Sequence, residues 1–327
     1  MTYRTSTTLD RRSVLIGGAT LTLGLLARPA LAQTVADTAT VEGTARFEVG
    51  ARTVVAFLDG RISLPAGAFA GASEEELLEL IGGQAVDGFI NAYVVDGPDN
   101  LVLVDAGGGS LVGPTAGKLK ERMTAAGLDP ARIDTVLATH LHPDHVGGLL
   151  SEDRLVPPEA QLIVHEFERD FWSSDEMMAA AGEGGAGAFK AARATLEMFG
   201  ERVTPINADG DVPGGMRSIG LFGHTPGHTG FAIEDDGQQM LIWGDIVHAP
   251  PIQFARPDVT IAFDVDPDMA RATRIKVMDM SSACTSPSPA WGGSRRKATV
   301  TPSTWRASST QQAGKCMGAE LPRARPR

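Results

Sequence analysis

The chain has 327 residues, 43% hydrophobic and 21% charged, the composition of a soluble globular protein with room for one large domain or two ordinary ones. Its formal charge of -11 is unevenly spread, because residues 1–32 and 281–327 are basic and the body between them holds the acidic excess. An acidic body gives no electrostatic footprint for nucleic acid. Both cysteines, Cys284 and Cys316, lie in the basic tail, which excludes a thiolate metal site in the body.

Residues 1–32 read as an export signal peptide. Arg11-Arg12 precedes an apolar run from Val14 to Leu26, and Ala30-Leu31-Ala32 supplies a small-residue cleavage pattern. The run is too short to span a bilayer. Paired arginines before a mild core containing Gly and Thr resemble a twin-arginine signal, a route that exports folded proteins. An ordinary secretory signal or an uncleaved anchor would share the apolar run. The expected location is periplasmic or secreted, with the export machinery as a partner.

Ala45 to Leu64 alternates and is rich in β-branched residues, predicting paired strands around Asp59-Gly60. Ser73, three residues before Glu76, opens a short helix that Gly82-Gly83 stops. Two apolar runs flank Gly97-Pro98-Asp99-Asn100, a hairpin ending in Asp105 and three glycines. An amphipathic helix then closes at Gly127. Ile133 to Thr139 is a buried-type strand that delivers His140 at its carboxyl end.

Further on, "AQLIVHEFERDFW" reads as a strand running into a helix, Gly182 to Gly187 as a loop, and "AFKAARATLEMFG" as a second amphipathic helix. The stretches "MRSIGLF", "GFAIEDDGQQMLIWGD" and "VTIAFDVD" read as strands with tight turns, and "DPDMARATRIKVMDM" as a helix. Strands in runs with interspersed helices, and no internal repeat, argue for two sheets covered by helices. From Ser281 the sequence follows neither period and is rich in Ser, Thr, Pro and Arg, so it is expected to be disordered. It breaks in just after a well-formed helix and holds both cysteines and two of the four tryptophans. A segment translated out of frame and a genuine basic tail are the two readings of it.

"THLHPDHVGG" carries the spacing H-x-H-x-D-H: His140, His142, Asp144, His145. Beyond a strand end, His140 and His142 can point the same way, while Asp144 and His145 sit on the turn into the next helix. Nitrogen and oxygen donors on one short loop suit Zn²⁺, with Mn²⁺, Co²⁺ or Fe²⁺ also accepted. Downstream, "GHTPGHTGF" contributes His224 and His228, and "LIWGDIVHAP" contributes Asp245 after an apolar run.

Taken in order, the hairpin ending Asp105-Ala106-Gly107, "THLHPDHVGG", "GHTPGH" and Gly244-Asp245 resemble the metallo-β-lactamase superfamily over roughly residues 45–280. The resemblance implies an α/β fold, a four-layer αββα sandwich within residues 33–280, and two divalent cations. It assigns His140, His142 and His228 to one cation and Asp144 and His145 to the other, with Asp245 bridging both. Asp245 and Asp144 become the catalytic carboxylates, and Asp105 and His224 are expected behind the ligands. The chemistry implied is hydrolysis by a hydroxide shared between the cations. "GHTPGHTGF", "WGDIVHAPPIQF" and "HEFERDFW" look like a periplasmic lactone- and organophosphate-hydrolase branch, so a small-molecule ester or lactone is the expected substrate. Trp172 and Phe189 are then candidates for an aromatic leaving-group pocket, with plain core aromatics as the other reading.

One departure stands out. Such relatives usually bring a further histidine to the second cation from beyond the last helix, and no histidine follows His248 here. The second set is therefore expected to be one protein ligand short, with water or His248 in its place, and the C-terminal part of the fold incomplete. His165 and His248 otherwise read as structural. The competing functions are a metal-binding remnant with impaired catalysis and a β-lactamase, though true β-lactamases of the superfamily generally lack the aspartate bridge.

Overall fold

Strands buried on both faces need apolar side chains at consecutive positions, because successive residues point to opposite sides of a sheet. Val54-Val55, Val94-Val95 and Leu101-Val102-Leu103-Val104 meet that demand, and all are buried. The computed structural model describes residues 41–96, 101–152, 155–207, 209–285 and 315–316, all within the unit Val35–Arg327. The export-signal reading, the Gly97–Asn100 turn and most of the tail from Ser281 lie outside those residues.

The chain runs through β1 (Thr44–Val49), β2 (Arg52–Pro65), β3 (Phe69–Ala70), α1 (Glu74–Ile81), β4 (Ala85–Asp96), β5 (Leu101–Val104) and α2 (Leu119–Ala125). Next come β6 (Ile133–Leu137), α3 (Pro143–Val146), β7 (Gln161–His165), α4 (Glu166–Ser173), α5 (Asp175–Phe199) and β8 (Val203–Ile206). β9 (Gly210–Val212), β10 (Met216–Gly220), β11 (Thr229–Asp235) and β12 (Gln238–Ile242) form a meander. α6 (Pro250–Gln253), β13 (Thr260–Ile261), α7 (Pro267–Thr285) and β14 (Lys315–Cys316) follow.

One sheet has the order β1-β2-β4-β5-β6-β7-β8, antiparallel up to β5 and parallel beyond it. The other has the order β14-β12-β11-β10-β9 and is antiparallel throughout. Val54, Val95, Val102 and Val104 of the first sheet meet Phe231, Ile233, Met240 and Ile242 of the second. Their neighbours Val55, Val94, Leu101 and Leu103 point the other way, against Met123 of α2, Val146 of α3, Trp172 of α4 and Phe189 of α5. On the far side of the second sheet, Ile219, Leu241 and Trp243 pack with Val277 of α7. The result is the four-layer αββα sandwich, a fold of the metallo-β-lactamase kind. No helix among the described residues is long and apolar enough to cross a membrane.

Three local departures from the sequence reading have physical causes. The hairpin joining β1 to β2 turns at Gly50, whose φ is 58°, rather than at Asp59-Gly60. Asp59-Gly60 instead sits in a register shift within β2. The Asp59 carboxylate is buried there and accepts N–H groups from Gly108 (2.9 Å), Gly117 (3.0 Å) and Leu119 (2.9 Å), folding the segment after β5 back over the sheet. Between Gly182 and Gly187 the chain stays helical within α5 and leaves helical geometry only at Gly182. Of "VTIAFDVD", only Thr260–Ile261 forms a strand, pairing with β3.

The end of β5 lies so close to the turn after α3 that only glycine fits. A Cβ on Gly148 would fall 2.0 Å from the Ala106 carbonyl oxygen, and one on Gly147 would fall 2.2 Å from that of Gly108. Gly148→Ala is expected to cost about 2 kcal/mol of stability, the usual cost of overpacking. Chemical denaturation measures it, and a variant as stable as the parent would contradict the close approach.

Candidate metal centre

β6 ends at Leu137, and the next residues are pinned before the histidines begin. Ala138 N–H donates to the Ile163 carbonyl at 3.0 Å, and Thr139 N–H donates to Asp105 Oδ1 at 2.8 Å. His140 is fully buried, and His142 caps α3, with Pro143 at its first position. His140 Nε2 lies 2.9 Å from His142 Nδ1, which lies 3.0 Å from His224 Nε2.

The protonation states follow from the surroundings. His224 Nδ1 lies 2.9 Å from Asp264 Oδ1; a carboxylate only accepts, so this nitrogen carries the proton. Burial, with Asp245 opposing and His142 reinforcing it, holds the His224 pKa well below the usual imidazole range, so Nε2 keeps a bare lone pair. Burial likewise holds His140 well below that range and lowers His142 to about 4. Buried neutral imidazoles with converging nitrogens lack the protons and acceptors to satisfy one another. They suit a borderline divalent cation, which binds the neutral ring.

Asp245, just beyond β12, faces both ways. Its Oδ2 lies 3.4 Å from His224 Nε2 and 3.8 Å from His140 Nε2, while its Oδ1 lies 3.1 Å from His145 Nε2. Asp144 Oδ2 is 3.5 Å from the same His145 nitrogen. Two donor sets result, His140, His142, His224 and Asp245 in one and Asp144, His145 and Asp245 in the other. Burial alone would raise the Asp245 carboxyl pKa, but His145 and His248 hold it well below the usual range. Burial would lower that of His145, but Asp245, Asp144 and Asp105 together carry it well above. Negative charge thus concentrates where a second cation would sit.

Behind these donors stand groups that aim them. His145 Nδ1 donates to Asp105 Oδ2 at 2.8 Å, and the Thr139 hydroxyl donates to the same carboxylate. Asp105 has a φ of 57°, unusual for a residue with a side chain, and its N–H is held by the Leu137 carbonyl at 2.9 Å. Asp264 serves His224 in the same way. It is itself held by the Ile261 N–H at 3.1 Å and by the buried Arg274, whose Nη2 is 3.7 Å from Asp264 Oδ2. Neither Asp264 nor Arg274 carries a sequence signal, since their distance along the chain from the motifs hides the contact.

The structure exchanges the two histidines of "GHTPGH". His228, expected among the donors, belongs to neither set. Its Nδ1 donates to the Leu221 carbonyl at 3.0 Å and its Nε2 accepts the Asp245 N–H at 3.0 Å, so the main chain takes both nitrogens. His224, expected behind the ligands, stands among them. His248 lies 3.1 Å from Asp245 Oδ2, the oxygen facing His140 and His224, so it does not complete the Asp144–His145 set. His165 caps α4, its Nδ1 accepting the Phe167 N–H at 3.1 Å.

Trp172 and Phe189 form no pocket wall. They are 3% and 2% exposed, and their rings meet at 4.7 Å, tilted by 59°, within the helix-side core. The Trp172 ring meets His142 edge-on at 5.3 Å, supporting that candidate donor from behind.

Three outcomes are expected. His224→Ala loses a tightly held cation by elemental analysis, whereas His228→Ala keeps the cation count; the reverse pattern would restore the sequence assignment. A Zn²⁺ titration of the metal-free chain shows a second step weaker by about 10- to 100-fold, the scale at which lost ligand support weakens a site; two equal steps would contradict it. Finally, His142 and His228 fall to about 4 when folded, through burial, against roughly 6.5 when unfolded. The unfolded state then binds more protons in that window, so the metal-free chain loses stability as pH falls from about 6.5 to about 4. His145, shifted upward, changes its contribution only above that window. Thermal melts in chelator check the sign, and a melting temperature that climbs on acidification would contradict it.

Residues 85–295 match the metallo-beta-lactamase superfamily. The acyl-coenzyme A thioesterases MBLAC2 of Bos taurus and Homo sapiens are 30% and 31% identical over 171 and 170 residues. These matches cover 48% of this chain and 58% of each relative, so the chain spans little more than half the length of the curated relatives it matches. Among solved structures, hydrolase AbOPH in the beta lactamase superfamily aligns with a TM-score of 0.68 at 29% identity, over 73% of this chain and 87% of that one. AidC, a dizinc quorum-quenching lactonase in complex with a product, shares the fold with a TM-score of 0.67 at 23% identity, over 74% and 88% of the two chains. With its motifs, layers and donor sets all of one pattern, the chain belongs to the metallo-β-lactamase superfamily.

Proposed function

We propose that this metallo-hydrolase cleaves a lactone or an organophosphate ester at a centre of two divalent cations, Zn²⁺ first among them. The observation that carries the reading is Asp245 presenting one oxygen to His145 at 3.1 Å and the other to His224 at 3.4 Å. A single carboxylate shared by two donor sets is the arrangement a dinuclear site requires. Bound there, the cations would draw a nucleophile from water at neutral pH and polarise the scissile carbonyl or phosphoryl oxygen.

The chain's own residues fix the directions of attack. Asp105 and Asp264 hold His145 and His224 by their far nitrogens, so each near nitrogen points inward before substrate arrives. His228 holds the Asp245 main chain, which leaves only the carboxylate free to turn. Asp144 and Asp245 lie 3.5 and 3.1 Å from His145 Nε2, and Asp245, with His248 3.1 Å from its other oxygen, would pass a proton between the two histidines. Ester specificity rests on the resemblance of "WGDIVHAPPIQF" and "HEFERDFW" to the lactone- and organophosphate-hydrolase branch. The leader pattern of residues 1–32 supports a periplasmic or secreted enzyme.

An acyl thioester is the second reading, favoured by the curated relatives at 30% and 31% identity. Turnover of a chromogenic phosphotriester, an acyl lactone, an acyl thioester and nitrocefin, with added Zn²⁺ or Mn²⁺, separates these. The lactone or phosphotriester is expected to turn over, with the rate falling to background in His142→Ala. Turnover of the thioester alone transfers the assignment to the second reading, and of nitrocefin alone to a β-lactamase. No turnover above the variant on any of them leaves a metal-binding remnant.

A further inference from the structure

Glu168 is a buried carboxylate with no part in the chemistry above. It sits in the first turn of α4 and is 0% exposed. An acidic residue at that place ordinarily satisfies the N–H groups of its own helix. Glu168 turns instead to two distant loops. Its Oε2 accepts the Leu141 N–H at 3.1 Å and the Trp172 indole N–H at 2.7 Å, and its Oε1 accepts the Gly227 N–H at 2.8 Å.

Those partners are the informative part. Leu141 lies between His140 and His142, and Gly227 lies between His224 and His228. One rigid carboxylate therefore ties together the main chains of both histidine loops, which are otherwise far apart in sequence. The approach is close enough to require glycine, since a Cβ on Gly227 would fall 2.6 Å from the Glu168 nitrogen. Burial pushes the Glu168 carboxyl pKa up, and the hydrogen bonds it accepts act against that rise. The Leu141, Trp172 and Gly227 N–H groups can only donate, so both oxygens accept from them, and the Thr225 hydroxyl also bonds the carboxylate. An apolar residue would fill this space in the helix-side core at lower desolvation cost, and would leave those donors orphaned.

We propose that Glu168 is a positioning residue of the metal centre: it sets the separation of the two histidine loops, and so the 3.0 Å meeting of His142 Nδ1 with His224 Nε2. The proposal rests on the reading that these histidines hold a cation. Trp172 belongs to the same device, since its indole both satisfies Oε2 and backs the His142 ring at 5.3 Å.

The test uses the full chain loaded with Co²⁺. Glu168→Gln keeps the volume but turns one acceptor into an N–H group facing another N–H. It is expected to weaken the tightest Co²⁺ step by about 10- to 100-fold in chelator competition, and to shift the visible Co²⁺ absorption band. Phe199→Leu, a cavity change in the same core away from the loops, lowers the melting temperature of the metal-free chain but keeps the parental band. Should Glu168→Gln fail to fold, Glu168→Asp decides: it keeps charge and both oxygens, yet falls one methylene short of spanning both loops. Weaker Co²⁺ binding with an altered band supports the proposal. Parental affinity and band in a folded Glu168 variant overturn it, leaving a residue that only stabilises the core. A parent chain that takes up no Co²⁺ overturns the metal reading, and this proposal with it.

Discussion

The structure depends on one electrostatic conflict. Neutral imidazoles from two loops are buried with their nitrogens about 3 Å apart, and beside them lie carboxylates that share too few protons. Left alone, such a cluster resists burial, because each unpaired polar group costs about 1–3 kcal/mol. The surrounding fold is arranged to hold it anyway. Rigid sheet ends deliver the loops, glycines let main chains touch, and buried acids fix the His145 and His224 rings from behind. Divalent cations held by these donors would resolve the conflict, which would make them part of the architecture as well as of the chemistry.

The supports come from three of the four layers. Asp105 ends a strand of the first sheet, Arg274 lies on α7 against the second, and Glu168 starts a helix on the opposite face. Each reaches a different donor: His145 through Asp105, His224 through Asp264, and the loops of His142 and His224 through Glu168. The left-handed backbone at Asp105 is tolerated because its N–H and its carboxylate are both committed to hydrogen bonds.

How much of this was legible follows from distance along the chain. The cluster at 140–145 is contiguous, so its spacing alone exposes it. The doubly buried strands show because their apolar runs have no polar alternation to hide in. The two histidines of "GHTPGH" are indistinguishable by composition. What separates them is that Leu221 N–H bonds the His228 carbonyl at 2.8 Å, extending the β10–β11 ladder and committing that side chain to the main chain, while His224 sits in the free turn. Asp59-Gly60 reads as a turn by residue type, but the N–H groups of Gly108, Gly117 and Leu119 draw it into the strand as an internal acceptor. Asp264 and Glu168 stay hidden because the loops they serve lie 27 to 59 residues away, and no local period records such a contact.

The β5-to-β8 half of the large sheet is parallel, so each of its pairings spans a long crossover. Nothing local nucleates such a half, and its histidine loop meets the His224 loop of the second sheet only once both sheets have formed. Any cation that both loops hold would then be captured only as the native state completes. For such a chain the supply of divalent cations would set how long a newly made molecule stays open to proteases.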